Sequence, residues 1–345
     1  MGQRANLVIV HESGYELHYS KWAANTLPTY VFWGPGPFEQ FVRAQQDLGD
    51  QWLDTIWCEG GAVMDLQRRV LLFFGGEDLP YDVVLRRFYF RLLRETWSGW
   101  DLRWAHRGIV DLARYCGVSD ERVIARSDEE RKSVDLSRLL NAPPNPRTAN
   151  CIVSARVQDG PLKLFVTALP GVAAYLRAGP GLIEHLEARD GLEAFSFEPA
   201  RTTPVCGVHF DIEARQIKFW QASDDPEVER HGARAWPGWT LTWLRDDLDA
   251  QIAELGGRVR LLTQCDDDLL EATERIVFLD VEGPLEGSLD FAEEGKGDAA
   301  TRAWELLETQ AALDRSAKRL VWAECLRRFR AGSAEQDRTT RDMDK

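Results

Sequence analysis

Three charged side chains in the first third of the chain have the chemistry of a catalytic site. Glu59 and Glu77 carry carboxylates that could act as a general base, and Arg103 carries a guanidinium that could stabilise an anion. Proton transfer of this kind needs no metal. These residues therefore predict one class of activity, a metal-independent hydrolase or transferase with its site in the first part of the chain.

Polar side chains elsewhere in this region could complete a pocket around the three. The candidates are His18, Asn25 and Asp78. A buried charge persists only when it has a partner, so a cluster of such groups would indicate a ligand pocket. The alternative is that each group lies on a solvated sheet face or at a strand end and pairs locally.

Tryptophans in the same region are candidates for partner binding. Trp22, Trp33, Trp52 and Trp57 lie in or beside predicted loops. An exposed indole is costly unless it meets a partner, and tryptophan is enriched at binding hot spots. If the protein recognises a ligand or another protein, we expect these side chains to form the contact.

Motifs for metals, nucleotides and covalent catalysis are missing from the sequence. The six histidines are not spaced as ligands on one helix or hairpin. The Gly-Pro-Gly sequences at 34–36 and 179–181 contain prolines, which remove the N–H donors that a phosphate loop needs. Cys58 precedes Glu59, which would raise rather than lower the pKa of its thiol. The sequence predicts no metal and no cofactor.

Composition favours a globular, acidic protein. Hydrophobic residues make up 44% of the chain, and the net charge is −14. A field of this sign repels phosphate backbones, and no apolar run reaches the roughly 18 residues of a membrane span. Six scattered cysteines without a Cys-x-x-Cys pair are typical of free thiols in a reducing compartment. We expect no nucleic-acid partner, no membrane association and a cytoplasmic location.

The sequence around these candidate residues is repeated. Residues 97–104 return as 236–243, each beginning Trp-x-Gly-Trp, and residues 61–66 return as 207–212. The landmarks follow in the same order at nearly the same spacing, which indicates two diverged copies of one module. Tryptophans present in both copies are predicted to be core residues. Because the charged candidates occur in copy one only, copy one is predicted to carry the site.

Each copy is predicted to read strand, strand, helix, strand, strand, helix, strand, helix. Consecutive hairpins predict mainly antiparallel sheets with helices on one face, an α+β fold with an added C-terminal helix. Within the C-terminal part, a strand is predicted at 275–281 and a helix at 299–329. The predicted boundaries are 1–140 for copy one, 141–147 for a proline-rich linker, 148–262 for copy two, 263–332 for a C-terminal strand and long helix, and 333–345 for a disordered tail.

Part of copy one resembles an uncharacterised family of bacterial proteins. The resemblance rests on the opening Met-Gly-Gln-Arg-Ala-Asn and on the segments at 19–26, 59–61 and 74–78. It implies a bacterial, cytosolic origin. It implies no activity, cofactor or partner.

Three functions are therefore open, the third being a purely structural subunit. The first is a binding or interaction protein, for example one associated with immunity or defence, that recognises a protein partner or small ligand through copy one. An acidic protein of this kind could bind a basic partner quickly. The second is the carboxylate-dependent enzyme. The helix predicted at 299–329 would also suit a homodimer interface. We expect binding, because tryptophans are present and catalytic motifs are not.

Overall fold

The computed structural model describes residues 3–125, 134–157, 160–197, 203–223, 228–261, 265–279 and 315–343. The chain forms two compact units. The first comprises Met1–Glu77, Leu85–Ala125 and Leu269–Lys345, and the second comprises Asp78–Val84 and Arg126–Asp268. The C-terminal segment thus belongs with the first unit, which the order of the sequence alone did not indicate.

The elements up to residue 115 form a sheet with helices. They are β1 (Ala5–His11), β2 (Gly14–Ser20), α1 (Leu27–Val31), α2 (Pro35–Arg43), β3 (Gln46–Asp47), β4 (Gly60–Asp65), β5 (Val70–Phe74), α3 (Val83–Thr96), β6 (Asp101–Trp104) and α4 (Ile109–Tyr115). The strand order is β3-β2-β1-β4-β5-β6.

The elements of the second unit follow a similar order along the chain. They are α5 (Leu136–Leu139), β7 (Cys151–Arg156), β8 (Leu162–Thr167), α6 (Ala173–Ala178), α7 (Leu182–Ala188), β9 (Phe195–Phe197), β10 (Cys206–Asp211), β11 (Gln216–Gln221), α8 (Val228–Ala235), β12 (Thr240–Trp243), α9 (Leu248–Glu254) and β13 (Val259–Leu261). Five of these strands form a sheet in the order β8-β7-β10-β11-β12, and β9 pairs with β13 in a separate two-stranded sheet.

Apart from β3, the two main sheets have the same connectivity, and the α+β class is confirmed. In each sheet, two antiparallel hairpins are joined by a helical crossover, which makes their first strands parallel: β1 with β4, and β7 with β10. A second crossover brings β6 parallel to β5, and β12 parallel to β11. Parallel neighbours need such crossovers. The sheets are therefore mixed, a feature that the predicted antiparallel pattern did not include.

Equivalent turns and tryptophans have the same geometry in the two units. Trp97 and Trp236 are each 1% exposed. The Trp97–Trp100 and Trp236–Trp239 ring centroids are both 4.9 Å apart. The glycine between the tryptophans has a φ of 77° in both units, a conformation that favours glycine. Of the repeated tryptophans predicted as core residues, Trp97 and Trp236 are buried, whereas Trp100, Trp104, Trp239 and Trp243 are half-buried.

The C-terminal helices correct two predictions. Residues 275–277, predicted as part of a strand, lie in helix α10 (Asp266–Val277), whose buried Leu269, Thr273 and Val277 recur every four residues. Helix α11 (Arg315–Met343) continues through most of the predicted disordered tail, since residues 333–343 contain no proline or glycine. Residues 299–314 of the predicted helix lie outside the described residues.

Within the first unit, aromatic contacts hold helix α11 against α1 and α3. Trp322 is 5% exposed and packs against Phe32, with ring centroids 5.5 Å apart. Phe329 packs edge-on against Phe88 at 5.6 Å. Over the part of the chain that the structure describes, no helix combines the length and apolar character of a membrane span.

Candidate functional site

A shallow, open cleft of about 470 Å³ lies on the first unit beside β3. Its lining combines aromatic, amide and aliphatic side chains with one cation. The lining residues are Arg4, Tyr19, Gln46, Leu48, Gln51, Trp52, Leu53 and Trp57. Most of them come from the connection between β3 and β4, which we call the cleft loop (residues 48–59).

Hydrogen bonds to β1 and β2 hold the cleft loop against the sheet. The Leu48 N–H donates to the Leu17 carbonyl at 2.9 Å. The Leu53 N–H donates to Asn6 Oδ1 at 2.9 Å, and Asn6 is fully buried in β1. Trp52 Nε1 donates to the Tyr15 hydroxyl at 3.2 Å, with the two rings edge-on. These three hydrogen bonds join the cleft loop to both strands of the first hairpin.

A capped turn displays Trp57 at the mouth of the cleft. Asp54 Oδ1 accepts hydrogen bonds from the N–H groups of Ile56 and Trp57, at 2.9 and 3.1 Å. This local pattern is typical of aspartate in turns. The exposed fractions are 58% for Ile56 and 51% for Trp57. A short, hydrogen-bonded turn therefore presents two large apolar side chains to solvent.

Carboxylates in and beside the cleft loop are occupied by local partners. Asp47 Oδ1 accepts a main-chain N–H two residues later, at 2.8 Å. Asp50 pairs with Arg122 at 3.2 Å. Glu59 Oε2 accepts the main-chain N–H of Arg4 at 2.9 Å. These acids stabilise the loop rather than line the cleft.

Arg4 supplies the positive charge of the cleft. Its guanidinium carbon lies 4.5 Å from the centroid of the Trp57 ring, a cation–π arrangement. Within the described ranges, no carboxylate or carbonyl accepts a hydrogen bond from this guanidinium. The cleft thus presents a stacked cation beside the amides of Gln46 and Gln51.

The three predicted catalytic residues are held in separate local pairs. Glu59 caps Arg4, and Glu77 accepts a hydrogen bond from Asn25 Nδ2 at 3.3 Å. Arg103 Nε donates to Asp101 at 2.9 Å, and this hydrogen bond raises the pKa of Arg103. Considering only described residues, no hydrogen bond or ion pair joins any two of Glu59, Glu77 and Arg103.

The structure places His18 beneath α2 rather than in the cleft. His18 is 7% exposed, and its Nδ1 lies 3.5 Å from the Gln45 carbonyl just after α2. Its Nε2 lies 3.5 Å from Glu16 Oε2. Consecutive strand residues point to opposite faces, so His18 and the cleft-lining Tyr19 lie on opposite sides of the sheet.

Trp33, predicted as a binding residue, is part of the core instead. It is 7% exposed, and its ring packs edge-on against Phe278, just after α10, with centroids 5.4 Å apart. The covering residue comes from far along the sequence, so neighbouring residues carry no signal of this burial.

Only some of the remaining predicted residues lie at the cleft. Trp57 lines it, whereas Trp22 is 46% exposed, lies outside the lining and contacts Lys21 through a cation–π pair at 5.1 Å. Asp78 is exposed and falls in the second unit. The sequence did not predict that Arg4, Tyr19 and the residues around β3 line the cleft. The available signal was that Arg4 directly precedes β1 and Tyr19 lies near the end of β2.

Cys58 lacks the properties of a nucleophile. Its side chain is buried, and burial raises the pKa of its thiol to about 12. The thiolate, which is the reactive form, is therefore scarce at neutral pH. Among the residues that the structure describes, no group of three or more His, Cys, Asp or Glu side chains is placed to hold a metal ion.

A buried polar network in the second unit was also missed by the sequence analysis. Ser154 Oγ lies 2.9 Å from His209 Nδ1, and His209 Nε2 lies 3.7 Å from Glu254. Gln251 Nε2 donates to Ser154 Oγ at 3.2 Å. The order hydroxyl, imidazole, carboxylate resembles that of a hydrolase, but Ser154 is 0% exposed. Burial also lowers the pKa of His209, which keeps the ring neutral. The network is structural.

Comparisons with protein-family models, with curated proteins and with solved structures give no significant match to the chain.

Proposed function

We propose that this chain is a binding protein, and that the cleft of the first unit recognises an extended segment of a partner protein. The observation that carries the proposal is the half-exposed Trp57, which is held by a capped turn, lies 4.5 Å from the Arg4 guanidinium carbon and lines the cleft. A rigid, accessible tryptophan beside an arginine has the composition of an interface hot spot.

Catalysis is a weaker account of the same surface. General acid–base chemistry needs groups that converge on one reacting atom. Glu59, Glu77 and Arg103 are instead engaged in separate pairs, and Cys58 is buried. The groups at the cleft itself are a cation, amides and aromatic rings, which bind rather than react.

A polypeptide occupant is favoured by the position of the cleft at a sheet edge. β3 is the last strand on that side of the sheet among the described strands, and both of its residues are exposed. Edge strands offer main-chain groups to an added extended segment, while adjacent pockets receive alternate side chains. Gln46 in β3 and Leu48 just beyond it also line the cleft.

We place the protein in a reducing compartment, the bacterial cytoplasm, as part of the same proposal. All six cysteines carry free thiols. Cys151 and Cys206 lie opposite each other on paired strands, and both are fully buried. Adjacent thiols persist where the environment keeps them reduced.

Selection of random 12-residue peptides on the full chain tests the binding function. We expect enriched peptides that bind the parent and Trp22→Ala, and that lose binding to Trp57→Ala. Trp22 is the matched control, because its indole is about as exposed but lies outside the cleft. Equal binding to both variants would exclude the cleft, and no enrichment at all would refute the proposed function.

A further inference from the structure

The charged side chain that lines the cleft is basic, although the chain as a whole is acidic. The chain has 42 basic and 56 acidic side chains, yet the only charged residue in the cleft lining is Arg4. Nearby Asp47, Asp50 and Glu59 already have partners. The acids of this region, Asp47, Asp50, Asp54 and Glu59, keep their charge but do not line the cleft, so the charge that an occupant contacts there is that of Arg4, which favours a negatively charged group at that point.

The geometry of Arg4 leaves its hydrogen-bonding edge available. The guanidinium carbon lies 4.5 Å from the Trp57 centroid, and among the described residues no acceptor takes a hydrogen bond from the guanidinium N–H groups. The planar fork matches the two oxygens of a carboxylate. Arg4 is also held in place, because its main-chain N–H is bound by Glu59 and its carbonyl accepts the N–H of residues 59 and 60.

The rest of the lining is suited to an apolar neighbour of that carboxylate. Leu48, Leu53 and the rings of Trp52 and Trp57 supply apolar surface, and Tyr19 adds a further ring. Aromatic walls gain most from aromatic or branched apolar side chains. The lining thus pairs one cationic point with an apolar surface.

We infer that the partner segment bound in the cleft is acidic and aromatic: an Asp or Glu carboxylate contacts Arg4, and an adjacent apolar or aromatic side chain packs on Trp52 and Trp57. This inference rests on the proposed function and names the chemistry of its partner. The bound segment is extended, because the cleft lies along the exposed β3 edge.

Three peptide libraries that differ only at a fixed central residue test the inference. Nonapeptides with central Asp, Asn or Lys and random flanks are each selected on the full chain, on Arg4→Gln and on Arg4→Lys. We expect the Asp library to be retained about tenfold better than the Asn library by the parent, and aromatic residues to be enriched beside the aspartate. The preference should disappear in Arg4→Gln and partly return in Arg4→Lys.

Trp57→Ala separates this inference from the function on which it rests. Retention of a library by the parent but not by Trp57→Ala, without preference for Asp, would overturn the inference and leave peptide binding standing. A preference for Lys, or an Asp preference that survives in Arg4→Gln, would overturn it too. If all three libraries bind the parent no better than Trp57→Ala, both the inference and the proposed function are wrong.

Discussion

The flank of each sheet beside the second strand of its first hairpin, β2 or β8, is open in the first unit and closed in the second. In both units, the chain returns to the sheet through one hydrogen bond: Leu48 N–H to the Leu17 carbonyl, and Leu192 N–H to the Leu164 carbonyl. In the second unit the chain then forms β9, which pairs with β13, and Phe197 is buried at 2% exposure. In the first unit the cleft loop follows instead.

The sheet residues that face this flank also differ between the two units: they are apolar in the second and polar in the first. Strand pairing makes Asn6 and Tyr19 in the first sheet equivalent to Ile152 and Val166 in the second. Val166 packs in one apolar cluster with Phe197, whereas Tyr19 lines the cleft. Sheets of similar connectivity thus carry a closed core in the second unit and an open cleft in the first, according to the segment that follows the helices of the first crossover.

The cores beneath the last helix of each module show the opposite difference. Three equivalent positions are apolar in the first unit and polar in the second: Val8, Val63 and Leu112, against Ser154, His209 and Gln251. The equivalence of the helix positions is visible at the sheet glycines, where a Cβ on Gly61 would collide with Leu112 and one on Gly207 with Gln251. Polar character in one unit therefore does not by itself indicate a functional site in that unit.

The largest expected effect concerns the closed flank. Phe197→Ala should lower the free energy of unfolding by about 3 kcal/mol, because it removes a buried ring from a packed cluster. Leu53→Ala, in the cleft loop of the open flank, should cost about 1 kcal/mol, since Leu53 is only partly buried. Urea denaturation measures both. Equal costs would show that the first flank is closed as well.

Removing the displayed indole should affect binding without affecting folding. Trp57→Ala is expected to weaken binding of a selected peptide by about 2 kcal/mol, or about 30-fold, by titration calorimetry. Its free energy of unfolding should change by less than about 0.5 kcal/mol, because half of the ring is exposed. A large loss of stability in Trp57→Ala would assign the indole to the fold rather than to recognition.

The polar core of the second unit should make its stability depend on pH. Burial lowers the pKa of His209 below its ordinary value of 6.5, so the unfolded chain takes up a proton first as the pH falls. Stability should therefore decline as the pH falls below about 6.5, by at most about 1.4 kcal/mol per pH unit, until the folded pKa is reached. His209→Val, which introduces the residue found at position 63, should flatten this dependence in urea melts at pH 7.5, 6.0 and 5.0. An unchanged pH dependence of the free energy of unfolding in His209→Val would contradict the assignment to His209.

The smallest effect is expected at Glu59. In Glu59→Gln, the side-chain oxygen can still accept the Arg4 N–H, so stability and peptide binding should both change by less than about 0.5 kcal/mol. The same variant would abolish turnover if Glu59 were a general base. Loss of any measurable activity in Glu59→Gln would restore the enzymatic hypothesis.

Local signals predicted much of the fold and part of the site. Alternating apolar residues, glycine turns and the repeated Trp-x-Gly-Trp gave the strands, the hairpins and the core tryptophans. Parallel pairing was not predictable in this way, because it depends on where a crossover returns. Likewise, Trp33 is buried by Phe278 and Arg4 meets Trp57 only in the fold, so their neighbours in sequence carry no trace of either contact.

The most direct test of peptide recognition at the open flank is to find which tryptophan side chains a bound peptide contacts. Indole ¹⁵N signals can be followed while an aspartate-containing nonapeptide selected on the parent is added, with Trp52 and Trp57 identified by substitution to Phe. We predict that these two signals shift, while those of exposed Trp22 and of buried Trp97 and Trp236 stay in place. Shifts confined to Trp22 or to Trp236 would contradict recognition at the first sheet edge.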